Sequence, residues 1–229
     1  MKMNKNNIKE ILTVSLFWGS LWGIAEATLG YLVHLVAIIP GIAGFIMFPI
    51  GFYFMTRAYR ESGKAISLFS VSVTAAAVKL ADLFLPGPGP IVTINPALAI
   101  LMEGAVLMII YKVLLENRRV FRFREALTAA AGWRAAFILY SFSLLIFSIS
   151  DDFFQIGIGN IIRFFLLESL VNAAIIIAYL KTGQSLERNR SGVQWKSIGA
   201  VDAGLSFSCT VFAAAILTRI ILSGFTPVI

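Results

Sequence analysis

Seven long apolar stretches, separated by short or basic connections, constrain the fold of this chain more than any other feature of its sequence. A helix needs about 20 mostly apolar residues to cross the hydrocarbon core of a bilayer. The predicted spans are roughly 11–36, 40–58, 65–85, 92–114, 126–150, 160–180 and 197–222. Because a bilayer offers no partners for backbone N–H and C=O groups, such stretches are expected to be helical. We therefore predict an all-α polytopic membrane helix bundle, with residues 1–229 forming a single integral membrane domain.

The amino-acid composition agrees with residence in a membrane. Of the 229 residues, 59% are hydrophobic and only 14% are charged, whereas a soluble domain is nearer half apolar and a quarter charged. The net charge of +7 would also suit nucleic acid. The cations follow the predicted loops, however, so we expect the lipid bilayer and not nucleic acid as their partner. The single cysteine, Cys209, excludes a disulfide within the chain.

The positions of the basic residues predict the orientation. Fifteen of the 19 Lys and Arg residues lie at the N-terminus, after span two, at the end of span four and after it, and after span six. The opposite loops hold no cation, and one of them carries Asp151 and Asp152. The positive-inside rule then places the short basic N-terminus, 1–10, in the cytoplasm and the C-terminus outside. The first apolar stretch is longer than that of a signal peptide, so we expect it to be retained.

One face of the first span is built from small and ionisable residues. Helical spacing aligns five of them, namely Gly19, Gly23, Glu26, Gly30 and His34. The glycines let a second helix or a ligand approach the backbone closely, and Gly19 and Gly23 form a GxxxG pair. Because a charge inside a membrane is costly, a functional role is the default hypothesis for Glu26. The alternative is that Glu26 pairs with a cation on a neighbouring helix, and that His34 lies in the interfacial belt.

Polar residues are concentrated in the half of the bundle predicted to face outward. They are Glu26, His34, Lys79, Asp82, Asn95, Glu103, Arg163, Glu168 and Asn172. So many polar groups cannot face lipid, so they are expected to face one another or a water-filled cavity open to the outside. Aromatic side chains such as Trp22 would supply apolar walls. Together these residues predict a binding site for a small molecule.

Two structural pairings compete with this interpretation. Lys79 and Asp82 are three residues apart and would pair with each other near the outer end of span three. Arg134 and Asp202 are predicted toward the inner ends of spans five and seven, where they would form a structural ion pair.

The sequence predicts no metal site, no cofactor and no catalytic residue. A chain with one histidine cannot build a multi-histidine site, and no close acidic pair on one helix supports another cation site. No nucleophile elbow is present, and there is neither a P-loop nor another nucleotide-binding motif. Energy for active transport would therefore come from a partner or from an ion gradient.

A small, apolar, basic chain with Gly19 and Gly23 in its first helix, the loop "LPGPGP" and the segment "NPALAILMEGAVL" (95–107) resembles the S components of energy-coupling factor vitamin transporters. The resemblance implies that Gly19 and Gly23 dock on a membrane coupling subunit, which is driven by ATPases. It also implies that Glu103 and its neighbours line an outward pocket for a vitamin. Members of that family have six spans with both ends in the cytoplasm, whereas this sequence predicts seven.

We predict that the chain binds a small solute in an outward-facing intramembrane cavity and takes part in its uptake with an energising partner. One alternative is a membrane-embedded enzyme acting on a lipid or isoprenoid, with Glu26 or Glu103 as general base and His34 as its acid–base partner. The other is a structural or assembly subunit whose buried charges only pair with each other.

Overall fold

The regular structure is helical throughout the described part of the chain, and the all-α prediction is confirmed. The computed structural model describes residues 5–26, 29, 42–84, 90–117, 120–147, 157–189, 211, 212 and 214. The helices are α1 (Lys5–Ala25), α2 (Ile42–Ser62), α3 (Ile66–Leu80), α4 (Pro90–Glu116), α5 (Phe123–Ile146), α6 (Ile158–Ile162) and α7 (Glu168–Asn189). A 3₁₀ turn, Ala81–Phe84, follows α3, and five residues of π-helix, Arg163–Leu167, join α6 to α7.

Three of these helical segments are long and apolar enough to cross a membrane, which indicates a membrane protein. They are Thr93–Leu114 in α4, Phe123–Ile146 in α5, and Ile158–Thr182, which runs from α6 into α7. They coincide with the fourth, fifth and sixth predicted spans.

The other predicted spans correspond to helices of different lengths. The helices α1 and α2 have 21 residues each, which gives about 31 Å of helix at 1.5 Å per residue. The third span, α3, is apolar but contains only 15 residues. The seventh, 197–222, lies outside the described residues apart from Val211, Phe212 and Ala214.

Small residues bring α1, α3 and α4 together into a tightly packed layer. A Cβ atom built on Gly19 would lie 2.5 Å from Cβ of Thr74, and one built on Gly23 would lie 2.7 Å from Cβ of Val78. On the other side of α3, a Cβ atom on Gly104 would collide with the Ser72 hydroxyl. Glycine is therefore required at these contacts, because any side chain would push the helices apart. We call this contact between α1, α3 and α4 the glycine seam.

The second half of the bundle packs α2 and α4 against α5 and α7 with larger side chains. Phe48, Phe52 and Met55 of α2 are fully buried. The Phe48 ring lies 5.8 Å from the ring of Trp133 on α5, measured between centres. Bulky apolar side chains thus surround the middle of α5, which is the setting of the polar residues described below.

Aromatic and ionic contacts bring several basic helix ends to one end of the bundle. Lys64, before α3, forms an ion pair of 3.2 Å with Glu10 near the start of α1. The rings of Tyr59 on α2 and Tyr111 on α4 are 4.7 Å apart, and Tyr111 also contacts Phe121 just before α5. The N-terminal end of α1, the α2–α3 connection and the α4–α5 connection therefore lie on the same side.

Candidate functional site

Arg134 is the centre of a buried polar cluster near the middle of α5. Its side chain is 0% exposed, and its guanidinium group donates three hydrogen bonds. Nη1 donates to the carbonyl of Ala130 at 3.0 Å, and Nη2 donates to the carbonyl of Gly44 at 3.3 Å. Nη2 also donates to Oε2 of Glu168 at 3.4 Å, in an ion pair whose two side chains are fully buried. Because arginine stays protonated in proteins, a positive charge is fixed at this point.

Two aromatic rings hold the guanidinium group in place. Cζ of Arg134 lies 4.5 Å from the ring centre of Trp133 and 5.2 Å from that of Phe164. Both distances are within the range of a cation–π interaction. Phe164 belongs to the π-helix Arg163–Leu167, which ends directly before Glu168. Such π-helical turns are rare and occur often at functional sites.

Glu168 and Asn172 present their side chains to the cluster from one face of α7, since they are four residues apart. Nδ2 of Asn172 donates to the carbonyl of Gly44 at 2.9 Å, so this carbonyl accepts from both Asn172 and Arg134. A Cβ atom on Gly44 would lie 3.1 Å from Oε2 of Glu168 and 3.5 Å from Nη2 of Arg134. A glycine at this position lets the start of α2 reach the polar side chains of α5 and α7.

Glu103 brings a second carboxylate to the cluster from α4. Its side chain is only 6% exposed. It lies within electrostatic range of Arg134 and also of Glu26, which follows α1 directly. Glu103 and Glu168 therefore bring carboxylates from two helices to one fixed cation, Arg134, and Glu26 lies near Glu103.

Three acceptor atoms of the cluster receive no hydrogen bond from the residues that the structure describes. They are Oε2 of Glu103, Oε1 of Glu168 and Oδ1 of Asn172. Nε of Arg134 likewise has no acceptor there. A buried polar atom without a partner costs about 1–3 kcal/mol, and more when it is charged. The cluster is therefore suited to accept hydrogen bonds from a donor group that enters it.

Half of the ten residues predicted for ligand binding are brought together by this arrangement. Glu103 and Glu168 lie near Arg134, and Asn172 donates to the same carbonyl as Arg134. Glu26 lies within electrostatic range of Glu103, and Arg163 within that of Glu168.

The other five predicted residues lie elsewhere or are not described. Trp22 is fully buried and packs against Gly51 of α2, so it is a packing residue in this structure. Asn95 accepts a hydrogen bond of 3.0 Å from the Tyr140 hydroxyl, which joins α4 to α5. Lys79 lies near the end of α3. His34 and the side chain of Asp82 lie outside the described residues, as does Asp202, the predicted partner of Arg134.

The face predicted to dock on a partner is covered by a helix of the same chain. Gly19 and Gly23 are both buried against α3 in the glycine seam. A coupling subunit would have to displace α3 to contact them. Gly30, the next glycine of that face, lies outside the described residues.

The structure gives Arg134 a partner that the sequence did not predict. We placed it toward the inner end of span five and Glu168 in the outer half of span six, yet the two side chains form an ion pair. The fifth helix begins at Phe123 and ends at Ile146, so Arg134 lies close to its midpoint. A prediction based on these helix ends would have placed Arg134 near the middle of its span, closer to Glu168.

Two further members of the cluster were missed for different reasons. Gly44 contributes through its backbone carbonyl, for which the sequence carries no signal beyond the glycine itself. Phe164 contributes its ring, and the sequence does not distinguish it from other apolar residues of the same span.

A shallow cleft lies apart from the cluster, between the ends of α4 and α5 that meet at the basic connection. It is lined by Ile110, Val113, Leu114, Arg124, Glu125 and Thr128. Arg124 and Glu125 form an ion pair of 3.0 Å there, in which Arg124 is largely exposed. We assign this cleft no role, because its only buried charge, Glu125, is already paired and hydrogen-bonded to the backbone of Arg122.

Comparison of the chain with models of protein families, with curated proteins and with solved structures finds no match. What the protein does is therefore inferred from its residues and their geometry.

Proposed function

We propose that this protein binds a small solute inside its helix bundle and serves as a substrate-binding subunit in uptake across a bacterial or archaeal cytoplasmic membrane. The ligand site is the cluster around Arg134, with Glu103, Glu168 and Asn172 as its polar contacts. The aromatic rings of Trp133 and Phe164 form apolar walls beside the charged groups. Apolar walls with a few convergent polar groups are typical of small-molecule sites.

The observation that carries this proposal is the set of three buried acceptor atoms without a donor. In a purely structural cluster the buried polar atoms should be paired, as the great majority are in folded proteins. Here one oxygen of Glu168 is paired with Arg134 and the other is not. Likewise, the amide nitrogen of Asn172 is paired and its oxygen is not. A ligand that donates hydrogen bonds would complete the cluster.

The topology that we propose has seven spans, with the N-terminus in the cytoplasm. This orientation is supported by the basic helix ends, which lie on one side of the bundle, as the positive-inside rule requires. The ion pair of Lys64 with Glu10 joins two of these ends. A reporter enzyme that is active only in the periplasm or outside the cell, fused after Ile229, should be active. Activity of a cytoplasmic reporter at the same position would instead indicate six spans.

Uptake against a gradient would draw its energy from a partner or from an ion gradient, because the sequence contains no nucleotide-binding motif. We favour a partner. By resemblance to the S components, that partner would be a membrane coupling subunit with its ATPases, and the solute would be a vitamin or another micronutrient. Since α3 covers Gly19 and Gly23, the partner is expected to contact another face of the bundle.

Native mass spectrometry of the purified protein tests the binding function. The parent protein should retain a small molecule after gentle release from detergent, and Glu103→Gln should lose it. Glu116→Gln is the matched control, because Glu116 is an exposed glutamate on the same helix. Retention of the molecule by Glu103→Gln, or its loss from the Glu116 variant as well, would contradict the assignment of the site.

A further inference from the structure

The buried cluster contains more negative than positive charge. Two buried carboxylates, Glu103 and Glu168, face one buried cation, Arg134. Glu26 and Arg163 lie at its edge and are only partly buried. Among the three buried groups, full ionisation leaves one more negative charge than positive charge. An uncompensated charge in the membrane interior is strongly unfavourable, so a positive charge has to join the cluster.

The unpartnered atoms indicate what kind of cation fits. The three oxygens without donors, on Glu103, Glu168 and Asn172, include one from a neutral amide that is 0% exposed. A primary ammonium group carries one positive charge and three N–H donors. It therefore matches both the missing charge and the number of unpartnered acceptors. A quaternary ammonium group would supply the charge but no donor, and a hydroxyl group would supply one donor but no charge.

From this match we infer that the solute bound at the cluster carries a primary ammonium group, which contacts Glu103, Glu168 and Asn172, and that it replaces a proton held on Glu103. The inference rests on the proposed function and adds the chemical class of its ligand. In the empty protein, Glu103 is neutral and Arg134 pairs with Glu168. When the ammonium group enters, the Glu103 carboxyl group loses its proton to the solvent, and the carboxylate accepts an N–H donor from the ligand. Charge is conserved, because one cation enters as one proton leaves.

Glu103 is assigned the exchanged proton because of the charged groups around it. Glu168 is hydrogen-bonded to the fixed charge of Arg134, whereas no hydrogen bond from the described residues reaches Oε2 of Glu103. The charged groups facing Glu103 are Glu26 and Arg134. The helices packed on α4 bring further charges only near their ends: Lys79 on α3, Arg57, Arg60 and Glu61 on α2, and Arg124 and Glu125 on α5.

The exchange predicts a pH dependence with a defined sign. Because binding releases one proton, the affinity for the ammonium group should rise with pH, by about tenfold per pH unit while Glu103 is protonated in the empty protein. A ligand that binds without proton exchange would show no such dependence over the same range.

The test uses the full chain in nanodiscs of phosphatidylcholine, which has no primary ammonium group. Thermal melts are recorded with n-propylammonium, tetramethylammonium or 1-propanol at matched ionic strength. We expect n-propylammonium alone to raise the melting temperature, with an apparent dissociation constant that falls about tenfold per pH unit. Equal shifts with tetramethylammonium, or no shift with n-propylammonium at any pH, would overturn the inference. Nanodiscs containing phosphatidylethanolamine reveal whether a lipid headgroup supplies the ammonium group, since such lipids would then abolish the n-propylammonium response.

Two variants test whether Glu103 is the residue that holds the exchanged proton. Glu103→Gln should lose the pH dependence and most of the n-propylammonium shift, while Glu116→Gln should keep both. A pH dependence that persists in Glu103→Gln would overturn the assignment to this residue. The pH arm on the parent protein needs no variant, so a failure of Glu103→Gln to fold would not prevent the test.

The failure of this inference can be separated from failure of the proposed function. If the molecule found by native mass spectrometry lacks an amine and is still lost in Glu103→Gln, the binding function stands and the ammonium assignment is overturned. If neither a retained molecule nor an ammonium response is found, both are overturned.

Discussion

The glycine seam and the Arg134 cluster are two regions where polar atoms lie inside the bundle. On α3, which forms the middle of the seam, the hydroxyls of Ser67, Ser72 and Thr74 donate to carbonyls of the preceding helical turn at 2.7, 2.8 and 3.1 Å. The atoms of α1 without a partner among the described residues include Nε1 of Trp22 and Oγ of Ser15, and both groups are neutral. In the seam, helix contact is therefore possible without any demand for a charged group.

The cluster differs from the seam in charge and not only in polarity. Most of its hydrogen bonds link different helices, as when Asn172 and Arg134 both donate to the carbonyl of Gly44. Its unpartnered atoms include carboxylate oxygens of Glu103 and Glu168. Intramembrane polarity by itself thus does not mark a binding site, because serine and threonine can be satisfied within their own helix. Buried carboxylates with unused acceptor atoms are the feature that distinguishes the cluster.

The largest effect is expected from removing the anion that faces Arg134. Glu168→Gln leaves the guanidinium charge buried with a neutral partner, and arginine cannot lose its proton to relieve this. Breaking a buried ion pair in this way should lower the free energy of unfolding by about 3 kcal/mol. Thermal or denaturant unfolding in detergent would measure the loss. A melting temperature equal to that of the Glu116→Gln control would show that the pair contributes nothing to the fold.

The stability of the glycine seam should depend on the size of its side chains and not on their charge. A leucine at Gly23 would collide with Val78, whose Cβ atom lies 2.7 Å from the position of a new Cβ, so Gly23→Leu should destabilise the protein by about 2 kcal/mol. The matched control is Gly159→Leu, because no atom of the described residues lies within 4 Å of a Cβ atom there. That change should stay within about 0.5 kcal/mol. Similar melting temperatures for the two variants would mean that α1 and α3 are not in close contact.

A smaller effect is expected at the hydrogen bond between Tyr140 and Asn95, which joins α4 and α5 away from the cluster. Tyr140→Phe removes the donor and should cost about 1 kcal/mol. Because this contact belongs to the fold, the variant should bind the copurified molecule as the parent does. A loss of binding in Tyr140→Phe, measured by the ligand-induced shift in melting temperature, would indicate that Asn95 belongs to the ligand site.

The parts of the fold that follow from hydrophobic length were predictable, and the parts that follow from helix contacts were not. Length and apolar character predicted the helices at Thr93–Leu114, Phe123–Ile146 and Ile158–Thr182 to within a few residues. Their relative depth depends on tilt and on where each helix begins, which no periodicity encodes. The ion pair of Arg134 with Glu168 was therefore not predicted.

Individual residues of the site were predictable from the sequence, but their arrangement in space was not. Glu26, Glu103, Glu168 and Asn172 were predicted because a polar residue in a span is costly unless it faces protein or water. Trp22 was predicted as an apolar wall of the site, and it packs inside the bundle against Gly51. Only the three-dimensional contacts distinguish an acceptor without a donor from a polar atom that is already paired.

The most direct test of a ligand site at the Arg134 cluster is the thermal melt of Glu103→Gln, with and without the molecule that copurifies with the parent. Glu103→Gln replaces a carboxyl group that has an unpartnered oxygen and leaves the pair of Arg134 with Glu168 in place. The empty variant should therefore melt at or slightly above the temperature of the empty parent. It should also lose the stabilisation that the ligand confers on the parent by mass action. A large loss of stability in the empty variant, with the ligand-induced shift intact, would contradict the site and show that Glu103 only supports the fold.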